Sequence, residues 1–149
     1  MAVLTIASVE EEIVWRFVET AGGRLVVAVG SCWTNPLWAG GSKIWVDTIY
    51  TLGKHDMGWT AAARRPEPLA YGAAVSVREG VLLFGGQGPA SLSKTILLFD
   101  GRSVRKAGEL PAPTAIQGAA LADGMFYLGA PSRLSPRSLR VRLEGRHLE

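Results

Sequence analysis

Two stretches of this chain repeat one another, and that repetition constrains the fold more than any single motif does. Pro66 and Pro68 precede LAYGAAVS, and Pro111 and Pro113 precede TAIQGAAL. Each proline stands 45 residues from its counterpart, and Gly72 and Gly118 are 46 apart. A turn follows in each copy, Arg78-Glu79-Gly80 and Ala122-Asp123-Gly124. Then come the apolar runs VLLF and MFYL, closed by Gly85-Gly86 and Gly129-Ala130. Upstream, GGRLVVAVGS (22–31) has the same order and ends in Gly30-Ser31, with the extra length before the next copy held in CWTNPLWAGGS. A period of roughly 45 residues means an array of like units.

Polarity within a unit tells how it packs. Val81–Phe84 is apolar at every position, which predicts a strand buried on both faces. Thr95–Phe99 is nearly as apolar and runs into Asp100-Gly101, a strong hairpin signal. Ser103–Ala107 carries Arg105 and Lys106 and reads as an outer strand. Ala70–Val77 contains Gly72, Ala73 and Ala74, small residues suited to crowding near an axis. Four antiparallel strands, dry inside and wet outside, describe one blade of a β-propeller. The reading is all-β: residues 1–149 form a partial propeller with blades at about 13–63, 69–109 and 114–149. Strands are predicted near 24–30, 44–52, 70–77, 81–85, 95–99, 116–122 and 124–129, with IVWRFVETA (13–21) as the first strand of the first blade. No segment carries a helical 3.6-residue apolar stripe uninterrupted by glycine or proline.

Composition narrows the function classes. Of 149 residues 48% are hydrophobic and 19% charged, a globular balance. A net charge of +3 is too small to argue for nucleic acid. The basicity is local, since Arg133, Arg137, Arg140, Arg142 and Arg146 crowd the C-terminal end, as on an edge strand or a solvated tail, with an anionic partner as the alternative. Cys32 is the only cysteine, which excludes an intramolecular disulfide or a cysteine cluster. His55 and His147 lie in polar surroundings with no second ligand nearby, so neither a metal nor a cofactor is expected. MAVLTIASVEEE has no basic residue before its short apolar run and is a poor signal peptide. With no apolar run of about eighteen residues, no membrane partner is expected and the location is expected to be cytoplasmic.

Glycine pairs after an apolar strand, with spaced aromatics such as Tyr50 and Trp59, resemble kelch repeats. NPLWAGGSKIWVDTIYTL (35–52) is similar to the loop and strand after the first glycine pair in kelch-type sialic acid (N-acetylneuraminate) mutarotases, the cyclically permuted mutarotase family. RPEPLAYGAAVSVREGVLLFGG (65–86) resembles the next blade of that family. The resemblance covers about residues 22–130, roughly half of the family's length. It implies a six-bladed propeller, of which about three blades are present here, and an isomerase that interconverts the anomers of sialic acid. The family segment supplying a catalytic carboxylate and arginine has no counterpart in this sequence, so no catalytic residue is assigned. The alternative is a non-catalytic kelch protein-interaction module, or an inactive fragment.

Meander geometry predicts where a ligand would sit. Loops 31–42, 64–69, 86–94 and 110–114 should emerge at one end, bringing Asn35, Trp38, Lys43, Arg64 and Gln87 together as substrate-binding candidates. Cations and amides beside aromatic rings suit an anionic sugar. Trp38 and Trp45 also suit blade packing, and Asp47 suits local backbone groups. His55 and Asp56 read as a turn without partners. Glu67 and Glu109 lie near these loops with nothing to pair them for acid–base work. Three blades leave two end faces bare, with Trp15, Ile44 and Phe84 among the exposed positions. Closure is expected from a homodimer or from missing chain, with the N-terminal AVLTIAS (2–8) as a crossing outer strand.

Overall fold

Leu82, Phe84, Ile96 and Leu98 belong to one buried cluster, while Val81, Leu83, Leu97 and Phe99 belong to another. One sheet therefore presents apolar side chains on both faces, as period-two alternation requires when neither face meets water. The computed structural model describes residues 13–14, 17–28, 30–115, 118–130 and 137–142. Trp15, the AVLTIAS segment, Arg133, Arg146 and His147 lie outside the described residues.

Among the described residues the first strands are β1 (Ile13–Val14), β2 (Phe17–Ala21), β3 (Arg24–Ala28) and β4 (Ser31–Trp33). A single 3-10 turn at Leu37–Ala39 precedes β5 (Lys43–Trp45), β6 (Thr48–Leu52) and β7 (Thr60–Arg64). Then follow β8 (Ala73–Val77), β9 (Gly80–Gln87), β10 (Leu92–Phe99) and β11 (Val104–Glu109). The last three strands are β12 (Gly118–Ala122), β13 (Met125–Ala130) and β14 (Arg137–Val141). All pairing is antiparallel. The sheets run β2-β3-β6-β7, β8-β9-β10-β11 and β12-β13-β14, with β1-β4-β5 as a separate small sheet.

Three successive meanders are thus stacked face to face, the arrangement of blades in a propeller sector. Val26, Ala28 and Ile49 of the first pack on Val81, Leu83, Leu97 and Phe99 of the second. Phe126, Leu128 and Val141 of the third pack on the second meander's other face. Each fully buried Leu or Phe contributes about 1.5–3 kcal/mol over leaving it exposed. The first strands of two meanders are also tied directly: Ser76 Oγ donates to Thr20 O at 2.6 Å and accepts from Thr20 N at 3.2 Å. The strand order, the outer position of β11 with exposed Arg105 and Lys106, and the Asp100-Gly101 turn all follow the repeat. Asp100 closes that turn by accepting from Arg102 N, Ser103 N and Ser103 Oγ. Of the C-terminal arginines, Arg137 and Arg140 lie on β14, which pairs with β13, and Arg140 and the following Arg142 are exposed.

Four expectations are corrected. The predicted strand 44–52 is two strands in two sheets: β5 pairs with β4, β6 pairs with β3, and Val46 N donates to Gly30 O between them. The run 13–21 is divided likewise: β1 pairs with β4, and β2 opens the first meander. Phe84 is not on a bare end face; it is 0% exposed between the second and third meanders. Asp56 does have partners, since its carboxylate accepts from Gly53 N at 2.7 Å and pairs with Arg24 at 2.6 Å. Ile44 on β5 and Tyr127 on β13 are exposed, at 41% and 40%. Among the described residues no helix is long and apolar enough to cross a membrane.

Candidate functional site

In these meanders the turns at 22–23, 78–79 and 123–124 lie at one end, and the connections 30–47, 65–72, 88–91 and 110–115 lie at the other. The connections are laced together there by backbone hydrogen bonds. Arg65 N donates to Asp47 O at 2.8 Å, Ala70 and Gln87 exchange a pair of bonds at 2.9 and 2.7 Å, and Thr114 N donates to Ser93 O at 3.1 Å. The glycine pair makes this closure possible. Gly86 N donates to Thr114 O at 3.0 Å. A Cβ on Gly85 would stand 2.5 Å from Thr114 O, and one on Gly86 2.7 Å from Ala70 O. Both glycines also have positive φ, 56° and 117°. The Gly-Gly of the repeat is where the neighbouring connections close over the second strand.

At this end stands an ammonium between two rings. Lys43 and Trp45 are two apart on β5 and so project to the same side. Lys43 Nζ lies 4.3 Å from the centroid of the Trp45 ring, within range of a cation–π attraction of about 0.5–2 kcal/mol. Tyr71 enters from the connection between β7 and β8, its ring 6.2 Å from Trp45 at 73°. Lys43 Nζ donates to Tyr71 Oη at 2.5 Å and is 4.4 Å from that ring's centroid. An atom so much nearer the hydroxyl than the ring centre lies off the ring's edge, so the Tyr71 contact is a hydrogen bond rather than a cation over a face. Tyr71 adopts φ 55°, the left-handed region that a bulky side chain enters only when its surroundings force it. No carboxylate among the described residues pairs with Lys43. A half-buried ammonium with aromatic walls and no counter-ion can hold an anion by charge-assisted hydrogen bonds.

The other sequence candidates divide. Gln87 is exposed at the end of β9, and its backbone bridge to Ala70 puts it beside Tyr71 in the fold. Arg64 is turned to Asp47, its Nη1 3.0 Å from Oδ1, with the arginine side chain 75% exposed. The Asp47 carboxylate thus pairs with the Arg64 side chain, and at that exposure the pair is worth about 0–1 kcal/mol. Asn35 and Trp38 sit in the tip between β4 and β5, with Trp38 90% exposed. That tip is closed by Thr34 N to Ser42 O at 3.0 Å and Ser42 N to Thr34 Oγ1 at 3.0 Å.

Two participants were not singled out from the sequence, Tyr71 and Arg65. Arg65 is 3% exposed and donates from Nη2 to Val46 O at 3.0 Å and to Leu69 O. Burial lowers its pKa to about 10, opposed by the charge of Asp47, so it stays protonated at neutral pH. Nothing in Arg64-Arg65 announces which arginine is buried. The one available signal for Tyr71 is an aromatic just before Gly72 at the mouth of a first strand.

Glu109 is not poised as a proton donor. It lies between two lysines: Lys106 at 2.5 Å and Lys94 at 2.6 Å hold its carboxyl down to about 2, Lys106 contributing most. A carboxylate ionised at neutral pH has no proton to give as a general acid. Glu67 is exposed on the connection after β7.

The fold and this end of it define an all-β protein of stacked antiparallel meanders, with a cationic, aromatic-walled cluster where the connections gather. No family model matches the chain, and no curated protein matches it.

Proposed function

We propose that this chain is a kelch-type propeller sector related to the sialic acid mutarotases and that it binds an anionic sugar where its connections meet. The observation that carries this reading is the Lys43 ammonium held against Trp45 and Tyr71 with no carboxylate partner among the described residues. Lys43 would bond the sugar carboxylate, the aromatic walls would cover apolar faces of the ring, and Gln87 would supply amide contacts. Asn35 and Trp38 would contribute from the neighbouring tip, and Arg64 would add positive charge. Anomer interconversion needs a general acid and base near the ring oxygen. With Glu109 held ionised by two lysines, the described residues support binding more directly than turnover. The reading carries with it a cytoplasmic location and closure of the ring by a second copy or by further chain.

Nuclear magnetic resonance titration with N-acetylneuraminate tests it. Shifts should gather on Lys43, Trp45, Tyr71 and Gln87 and vanish in Lys43→Met. Shifts confined to the turns at 78–79, 100–103 and 123–124 would refute the site.

A second reading, a non-catalytic kelch protein-interaction module, is favoured by one observation. Leu37 and Trp38 are 64% and 90% exposed on a hydrogen-bonded tip, and exposed tryptophans on ordered loops are typical anchors for a protein partner. It predicts that Trp38→Ala abolishes partner binding while sugars leave the spectrum unchanged.

A further inference from the structure

We propose that Arg65 is a positioning residue that sets the separation of the two walls of the Lys43 cluster. The inference rests on the site of the proposed sugar-binding reading, and it stands or falls on the geometry of the free protein.

One wall is β5, carrying Lys43 and Trp45; the other is the segment carrying Tyr71. They are far apart in sequence and belong to different connections, and no strand pairing joins β5 to residues 65–72. Arg65 spans them. From a single nitrogen it donates to Val46 O, the carbonyl next after Trp45, and to Leu69 O, two residues before Tyr71. Its own N–H donates to Asp47 O at 2.8 Å, a third tie to the first wall. The guanidinium is buried, so these bonds are not exchanged with water, and charge-assisted bonds of this kind are about twice as strong as neutral ones. A planar guanidinium also fixes the angle between its acceptors, which a flexible ammonium does not. Tyr71 is held at positive φ on one side of this strut, and the Ala70–Gln87 bridge anchors the chain just before it. With the guanidinium gone, the main-chain bond to Asp47 O remains, but the tie from Val46 O to Leu69 O is lost and the Tyr71 segment relaxes towards an ordinary backbone conformation. The 2.5 Å Lys43–Tyr71 bond then opens.

The geometry is read without any ligand from the Lys43 side-chain proton resonances, which the Trp45 ring current shifts upfield when the ammonium sits over the indole. In the wild-type chain these signals should be upfield, with contacts to Tyr71 ring protons. Arg65→Gln should lose both features while the Phe84 and Phe126 resonances keep their native positions. Arg65→Lys, which restores charge and donors but not the planar fork, should recover part of the shift. Retention of the full shift and the Tyr71 contacts in Arg65→Gln would overturn the inference, as would their absence from the wild type. If Arg65→Gln does not fold, Arg65→Lys decides: an intermediate shift supports the strut, and a wild-type shift overturns it. Failure of N-acetylneuraminate to bind the wild type, with the Lys43 shift present and lost in Arg65→Gln, would sink the sugar reading and leave the strut standing.

Discussion

The ring of Phe84 lies 5.3 Å from the ring of Phe126, tilted by 51°, and both side chains are fully buried. The first belongs to β9 and the second to β13, so this contact joins the second meander to the third. Offset, tilted rings at such distances add about 0.5–1.5 kcal/mol to area burial. Phe84→Ala should cost roughly 3–5 kcal/mol, through lost transfer energy and the cavity left between two sheets. Tyr127→Ala, one position along β13 on the exposed face, should stay within about 0.5 kcal/mol. Urea unfolding of the two variants checks the contrast, and equal effects would contradict the stacking described.

Gly85 should not accept a side chain. Alanine there would combine positive φ with a Cβ 2.5 Å from Thr114 O, and the backbone strain alone costs on the order of 1–3 kcal/mol. Gly85→Ala is therefore expected to lower the unfolding midpoint and to speed exchange of the Gly86 amide, whose bond to Thr114 O closes this end. Native exchange at Gly86 in the variant would count against that role.

Acid should destabilise the chain between the ordinary carboxylate range and about pH 2. Hydrogen bonds from Ser103 and Arg102 hold Asp100 down to about 2, and Lys106 and Lys94 do the same for Glu109. Because these folded-state values are depressed, the unfolded chain takes up protons first as pH falls. The contribution is present above the unfolded values and lost on approach to pH 2. Asp100→Asn and Glu109→Gln should each make the acid limb of a stability–pH profile less steep. An unchanged limb in both would contradict the assignment.

Lys43→Met should weaken binding of N-acetylneuraminate by about ten- to a hundredfold, since hydrogen bonds to charged groups contribute about 1.5–3 kcal/mol. Wild-type affinity should fall as salt rises, and that dependence should shrink in the variant. Calorimetry at two ionic strengths measures both, and an affinity insensitive to Lys43 would dismiss the site.

Uncovered sheet faces predict self-association. Tyr127, Ala120 and Ala122 on the third meander and Ile44 on β5 are exposed. Light scattering at micromolar concentration should report a dimer. A well-folded monomer at that concentration would remove the expectation that a second copy completes the ring.

The meander order was legible in the sequence because its signals are local. An all-apolar VLLF run, a REG or ADG turn and an Asp-Gly hairpin each act within a few residues, and repetition at roughly 45 residues makes them agree. The burial of both faces of β9 could be read the same way, from the absence of any polar position between Val81 and Phe84. Tertiary structure decided what depends on distant partners. The run IWVDTIY holds Asp47 and Thr48 but no glycine or proline, so its sequence does not announce a division into β5 and β6; the pairing does, β5 lying against β4 and β6 against β3. Arg64 and Arg65 are adjacent and chemically identical, yet one pairs with Asp47 in water and the other is buried under two carbonyls. Lys43 and Tyr71, 28 residues apart, meet only because two connections are drawn to the same end of the stack. Local chemistry determined which segments are strands and turns, whereas side-chain partnerships across connections waited on the packing that brings those connections together.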